Sequence, residues 1–119
     1  MNYFFQNKPT IFPTNDGLLI EEHFGRISTN DKHISIAHLI APPGWCDPYQ
    51  NPKYDEWTLV SRGRKMVEVD GEKIIINPGH SILVKKGARV RYSNPFEEEC
   101  EYWCICLPAF SMDTANREE

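Results

Sequence analysis

The sequence has no apolar run long enough to span a bilayer or to form a secretory leader, and its opening stretch, MNYFFQNKPTIFPTNDG, carries a single lysine. This absence predicts a cytoplasmic protein. Positive charge is in deficit: 13 Lys and Arg stand against 17 Asp and Glu, a net charge of −4. Nothing in that balance attracts nucleic acid or an anionic membrane, and a small molecule is the expected partner. Helical periodicity is missing, because no stretch of ten residues or more repeats apolar side chains at helical spacing. Repeats, low-complexity tracts and composition breaks are missing too, so the 119 residues are read as one domain, 1–119, with its core at about 17–107.

There is no GxSxG elbow, no glycine-rich phosphate loop, no paired CxxC and no HExxH. The four cysteines, Cys46, Cys100, Cys104 and Cys106, are even in number, but without a secretory feature they are expected to be reduced. Cys104 and Cys106 share one face of a strand, which is poor geometry for bridging each other.

What the sequence does have is punctuation. Nine prolines and seven glycines separate short segments rich in β-branched and alternating residues. These predict strands at 17–24, 32–41, 56–61, 64–69, 72–77, 81–85, 88–93 and 99–107. Between two of them lies Asp70-Gly71, a pair that tolerates the two positive φ angles of a type I′ turn and so predicts a hairpin. Eight short strands must pack as two sheets or close on themselves, since a single open sheet leaves an apolar face wet. The fold class is therefore all-β, best fitted by a double-stranded β-helix or jelly-roll barrel with short irregular N- and C-terminal segments. The tail SMDTANREE is expected to add at most one helical turn outside the barrel.

The stretch PGWCDPYQNPKYDEWTLVSRG, residues 43–63, concentrates polar and aromatic side chains between glycines. Gly44, Gln50, Pro52, Glu56 and Gly63, followed by Gly71, the Pro78-Gly79 turn, Gly87, Val90 and Asn94, form a spaced series that resembles the cupin family. The resemblance covers roughly residues 32–107 and implies a barrel whose interior holds a divalent metal on three histidines and a glutamate. Carried over position by position, the glutamate is Glu56, while Gln50, Pro52 and Val90 stand where the histidines would be. Lys85 replaces a proline of the second motif, and its glycine and asparagine are kept as Gly87 and Asn94. The runs PPGW, DEWTLV, VRYSNP, CLPAF and NREE are similar to a group of small bacterial cupins in which those histidines are replaced.

A catalytic divalent metal usually needs about three imidazole, thiolate or carboxylate ligands. Glu56 is one and Gln50 is a weak neutral donor. No cofactor is therefore expected; a metal held with the help of His38, His23 or Cys106 is the alternative.

The expected function is binding of a small polar organic molecule inside the barrel. Glu56 heads a strand face that continues through Thr58 and Val60, and it is the candidate catalytic or gripping carboxylate. Gln50 can donate and accept at once. Val90 and Tyr92 share a face that should line the cavity, leaving Arg89 and Arg91 outside. Trp45, Tyr54 and Trp57 are expected to cap the mouth or stack on a flat ligand. Cys106 on the last strand and His38, on a face with Ile34, Ile36 and Ile40, complete the candidate ligand-binding set. The alternative function is an enzyme, either metal-dependent with a rebuilt site or a metal-free isomerase, epimerase or lyase in which Glu56 moves a proton. On strand 99–107 the faces Tyr102/Cys104/Cys106 and Trp103/Ile105/Leu107 are both apolar, so periodicity does not say which is inside; it does predict a homodimer that covers the outer one.

Overall fold

Alternating side chains become strands wherever one face can be buried, and the turn residues decide where each strand stops. The computed structural model describes residues 2–118. Among them are β1 (Thr10–Phe12), β2 (Leu19–Phe24), β3 (Ser35–Ala41), β4 (Asp55–Arg62), β5 (Lys65–Val69), β6 (Glu72–Ile76), β7 (Ser81–Val84), β8 (Val90–Ser93), β9 (Cys100–Leu107) and a helical turn, α1 (Met112–Ala115). All eight segments expected from alternation are strands, with ends that agree to within three residues. β1 is an addition at the edge.

The strands form two antiparallel sheets, β1-β2-β3-β9-β4-β7 and β6-β5-β8. One core joins their inner faces: Leu39, Ala41, Val60, Val84, Tyr102 and Cys104 from the larger sheet pack with Val67, Ile76, Val90 and Tyr92 from the smaller. Burying each such side chain contributes about 1.5–3 kcal/mol, which is why the two sheets close face to face. The result is the expected jelly-roll barrel. The structure also resolves β9, whose Cys100, Tyr102, Cys104 and Cys106 point inward while Glu101, Trp103, Ile105 and Leu107 point out.

Two turns fix the register. Asp70 and Gly71 have φ of 47° and 87°, the two positive angles of the expected hairpin between β5 and β6. Gly63, at φ 72°, carries the chain from one sheet to the other, and a Cβ on it would run into the Glu99 carbonyl.

The segment between β3 and β4 is laid along β8 as a ragged extra strand. Asp47 N–H donates to the Tyr92 carbonyl at 3.0 Å, and Gln50 and Val90 exchange two backbone hydrogen bonds of 2.9 Å each. Fully buried Asn94 ties its start down, donating from Nδ2 to the carbonyls of Ala41 and Glu98 at 3.2 and 2.7 Å and accepting from Phe96 N–H at 3.1 Å.

The C-terminal tail has the one helical turn expected of it, and that turn packs against the end of the barrel. α1 is one turn, capped by Ser111, and its Ala115 is fully buried in a cluster with Tyr54, Cys106 and Phe110. Beyond it the chain closes over the barrel end. Asn51 N–H donates to Asn116 O at 3.2 Å, Lys53 N–H to Thr114 O at 2.8 Å and Glu118 N–H to Tyr49 O at 2.8 Å, with Gln50 and Arg117 bridged. No helix among the described residues is long and apolar enough to cross a membrane.

Candidate functional site

A cavity of ≈ 70 Å³ lies inside the barrel. Its apolar wall comes from Leu18, Ile20, Ala37 and Leu39 on the β2–β3 side and from Trp45, Tyr54 and Phe110. Its polar wall is built from Glu22, Asp47, Gln50, Glu56, Lys65, Tyr92 and Arg117, with the thiols of Cys104 and Cys106.

Each polar group reaches the cavity for a local reason. Glu56 occupies the inward register of β4, two residues before Thr58, and is 8% exposed. Gln50 is fixed by its backbone exchange with Val90, so its amide projects from the edge of β8 into the interior, with Oε1 buried and unpartnered. Tyr92 lies on the inner face of β8, and its buried hydroxyl has no hydrogen-bond partner among the described residues. Glu22 is different, because its Oε2 accepts from Ile27 N–H and Ser28 N–H at 3.1 and 2.8 Å. Gly25 makes room for that carboxylate, which a Cβ would strike.

Lys65 opens β5 on the inner face, where it is 2% exposed. Its Nζ lies 3.6 Å from the Tyr102 ring centroid and 4.4 Å from that of Tyr92, so the ammonium sits against two aromatic faces. Asp47 faces Arg117, with Oδ1 to Nη2 at 3.3 Å. Burial raises the Asp47 pKa from 3.8 to about 6, against the pull of the nearby Arg117 and Lys65 cations. Burial first, and then the neighbouring Glu56 charge, pushes the Tyr54 and Tyr92 phenols well up. Both therefore stay protonated and can donate. The Cys104 and Cys106 thiols are pushed up by the same two causes, and these cysteines form wall rather than nucleophile.

Of the residues expected from sequence, Gln50, Tyr54, Glu56, Tyr92 and Cys106 meet at this cavity, as does Trp45. Thr58 and Val90 face inward but are fully buried in packing; the Thr58 hydroxyl lies 3.7 Å from Cys104 Sγ. Two expectations are corrected. His38 lies on the outer face of β3, where Nδ1 is 2.8 Å from Glu21 Oε1 and Nε2 is 3.3 Å from Glu101 Oε2. The inner face of β3 is Ser35, Ala37, Leu39 and Ala41, so the isoleucines that share a face with His38 look outward. Trp57, next to Glu56, points out as well. All four cysteines are free.

Lys65, Asp47, Arg117 and Glu22 were not foreseen. Lys65 had a readable signal, since the other residues on its side of β5 are Val67 and Val69. Arg117 had none, because its place depends on the long-range pairing with Gln50.

The residues at the implied metal positions do not fit a metal. Pro52 and Val90 are buried without a donor atom, Gln50 is neutral, and the wall carries the Lys65 cation. Among the described residues no three His, Cys, Asp or Glu side chains are grouped to hold one.

Comparison with known proteins agrees with this architecture. The chain is 39% identical over 111 residues to "Endoribonuclease YbeY" of Myxococcus xanthus (strain DK1622); the match covers 93% of this chain but spans only 38% of that protein's length. Among solved structures, KdgF from Halomonas sp. superimposes with a TM-score of 0.73 at 15% identity, covering 95% of this chain and 97% of that one. An RmlC-like cupin from Shewanella frigidimarina NCIMB 400 also gives 0.73, at 16% identity and 92% coverage of both chains. At such identities the likeness concerns the fold. The Cupin domain family model matches residues 37–106, the span that runs from β3 to β9 and holds most of the cavity wall, and the chain therefore belongs to the cupin family.

Proposed function

We propose that this cupin barrel binds a small polar organic molecule in its interior, and does so without the divalent metal of its family. The observation that carries the reading is a set of buried polar atoms at one cavity with no hydrogen bond among the described residues: Gln50 Oε1, Tyr92 Oη and Arg117 Nε. Each unsatisfied buried group costs about 1–3 kcal/mol, so a guest that pairs with several of them is strongly favoured. The test is a thermal-shift screen of sugars, amino acids and small carboxylates, with elemental analysis of protein purified without added metal. A guest at about a hundred times its Kd should add about 2.7 kcal/mol. Near-stoichiometric Zn, Fe, Mn or Ni, lost on chelation together with stability, would overturn the metal-free reading.

A buried carboxylate in the same cavity supports a second reading, in which Glu56 exchanges a proton with the guest as a metal-free acid–base enzyme. Glu56→Gln should then keep guest affinity and lose turnover; loss of affinity as well would leave binding alone.

The endoribonuclease name of the Myxococcus xanthus relative belongs, on this reading, to the part of that protein outside the matched segment. RNA incubated with this chain should stay intact.

A second copy is the proposed occupant of the outer face of the large sheet. There His38 is hydrogen-bonded to Glu21 and Glu101 beside half-exposed Trp57, Leu59, Leu83, Trp103 and Ile105. Light scattering should give the mass of a dimer, and Trp103→Glu that of a monomer.

A further inference from the structure

Lys65 is the one lysine among the buried polar residues. The Tyr92 and Tyr102 rings attract its charge, but a ring face offers no lone pair to the three ammonium N–H groups. Among the described residues Lys65 makes no side-chain hydrogen bond and no ion pair; Arg117, which also lines the cavity, is the cation that faces Asp47. Burying an ammonium without an acceptor is unfavourable, and a cavity that does so reserves that charge for something else.

Glu56 lines the same cavity from the other sheet: it stands on β4, Lys65 on β5. Neither side chain takes part in an ion pair among the described residues, so the two charges face the cavity without touching. The same cavity holds one unpartnered acceptor, Gln50 Oε1, and one unpartnered hydroxyl, Tyr92 Oη, both on residues more than nine-tenths buried. Asp47 and Arg117 face each other and Glu22 is held by the Ile27 and Ser28 amides, so a cation, an anion and two neutral groups are left for the guest, which describes a molecule with an anionic end and a donor end. The space is small, ≈ 70 Å³, which favours a compact molecule.

We infer that the guest is a short carboxylate with a hydrogen-bond donor on a neighbouring carbon, an amino acid or hydroxy acid. Its carboxylate meets the Lys65 ammonium and the Tyr92 hydroxyl, and its donor meets Glu56 and Gln50 Oε1. Lys65 thereby supplies, as a fixed side chain, the positive charge for which this chain has no metal ligands. The inference rests on the reading of the barrel as a binder and adds the chemistry that selects the guest.

The experiment is calorimetric titration of the full chain with L-lactate and L-alanine, with propionate, which lacks the donor, and with lactamide, which lacks the charge. Lactate or alanine should bind at least tenfold more tightly than propionate and lactamide, and which of the two binds tells hydroxy acid from amino acid. Lys65→Met should bring the lactate-to-lactamide ratio to about one while the near-ultraviolet dichroism stays that of the folded parent. If lactamide binds the parent as tightly as lactate, or Lys65→Met keeps the preference, the carboxylate assignment is wrong while interior binding stands. If none of these probes and no sugar in the wider screen binds, both fall. The lactate and lactamide pair is read on the parent protein, so the inference does not depend on the variant folding.

Discussion

Arg62 and Lys65 stand three positions apart on either side of Gly63, and the molecule treats their charges in opposite ways. The Arg62 side chain is half exposed and donates to Glu101 Oε1 from Nε and Nη2 at 3.0 and 2.7 Å, and to Glu99 at 3.2 Å. Lys65 is enclosed and rests on two rings. A cation paired in solvent stabilises a protein by little, whereas one enclosed without an acceptor is costly and persists only where something offsets it. Of the two, the unpaired charge is therefore the more informative about function. Gly63 makes the contrast possible by passing the chain from the outer rim of one sheet to the inner face of the other.

The largest effect should come from breaking that passage. Gly63→Ala forces a Cβ into the Glu99 carbonyl at a positive φ and should cost at least about 3 kcal/mol, read as a lower urea midpoint with an unchanged slope. Next is the second buried charge, Asp47. Its pKa is about 6 in the folded chain against 3.8, raised by burial, so the fold gains from the protonated form below about pH 4 and loses that contribution as pH climbs through about 6. Ionisation costs up to about 3 kcal/mol. The stability advantage of Asp47→Asn over the parent should therefore be small at pH 4 and grow towards pH 7; a difference that is flat with pH would contradict the burial of Asp47.

Lys65→Met tests the contrast directly. Removing an enclosed ammonium and keeping the length of the side chain should stabilise the guest-free protein by about 1–3 kcal/mol in denaturant titration, at the expense of carboxylate binding. Arg62→Met should change stability by only about 0.2–1 kcal/mol, and raised salt should erase even that. Were the two methionine variants to behave alike, Lys65 would not be the enclosed charge described above.

How much of this was legible in the sequence depends on which force placed each residue. The strands were, because alternation is local and the turn residues mark its ends; Asp70-Gly71 announced its hairpin. β1 was not, since three residues, Thr10–Phe12, between Pro9 and Pro13 are too few to show a period. Glu56, Gln50 and Tyr92 line the cavity on the faces that their spacing from glycines and prolines predicts. His38 was misplaced because β3 puts isoleucines on the outside and small residues, Ser35 and Ala37, within, which inverts the usual meaning of an apolar face. Lys65 was passed over because lysine ordinarily marks solvent, although the valines beside it on β5 point inward. Arg117 comes to the cavity only through a pairing with Gln50 across 67 positions, and no local pattern encodes it.

The closing strap from Thr114 to Glu118 has a mechanical meaning. It is stitched to Tyr49–Lys53 by a short row of backbone bonds, and from it Arg117 extends into the chamber. Any force or partner that peels the strap from the rim withdraws one side of the chamber with it, and an occupant that grips the rim holds the strap down. On the binding reading, occupancy and detachment are then two readings of one equilibrium.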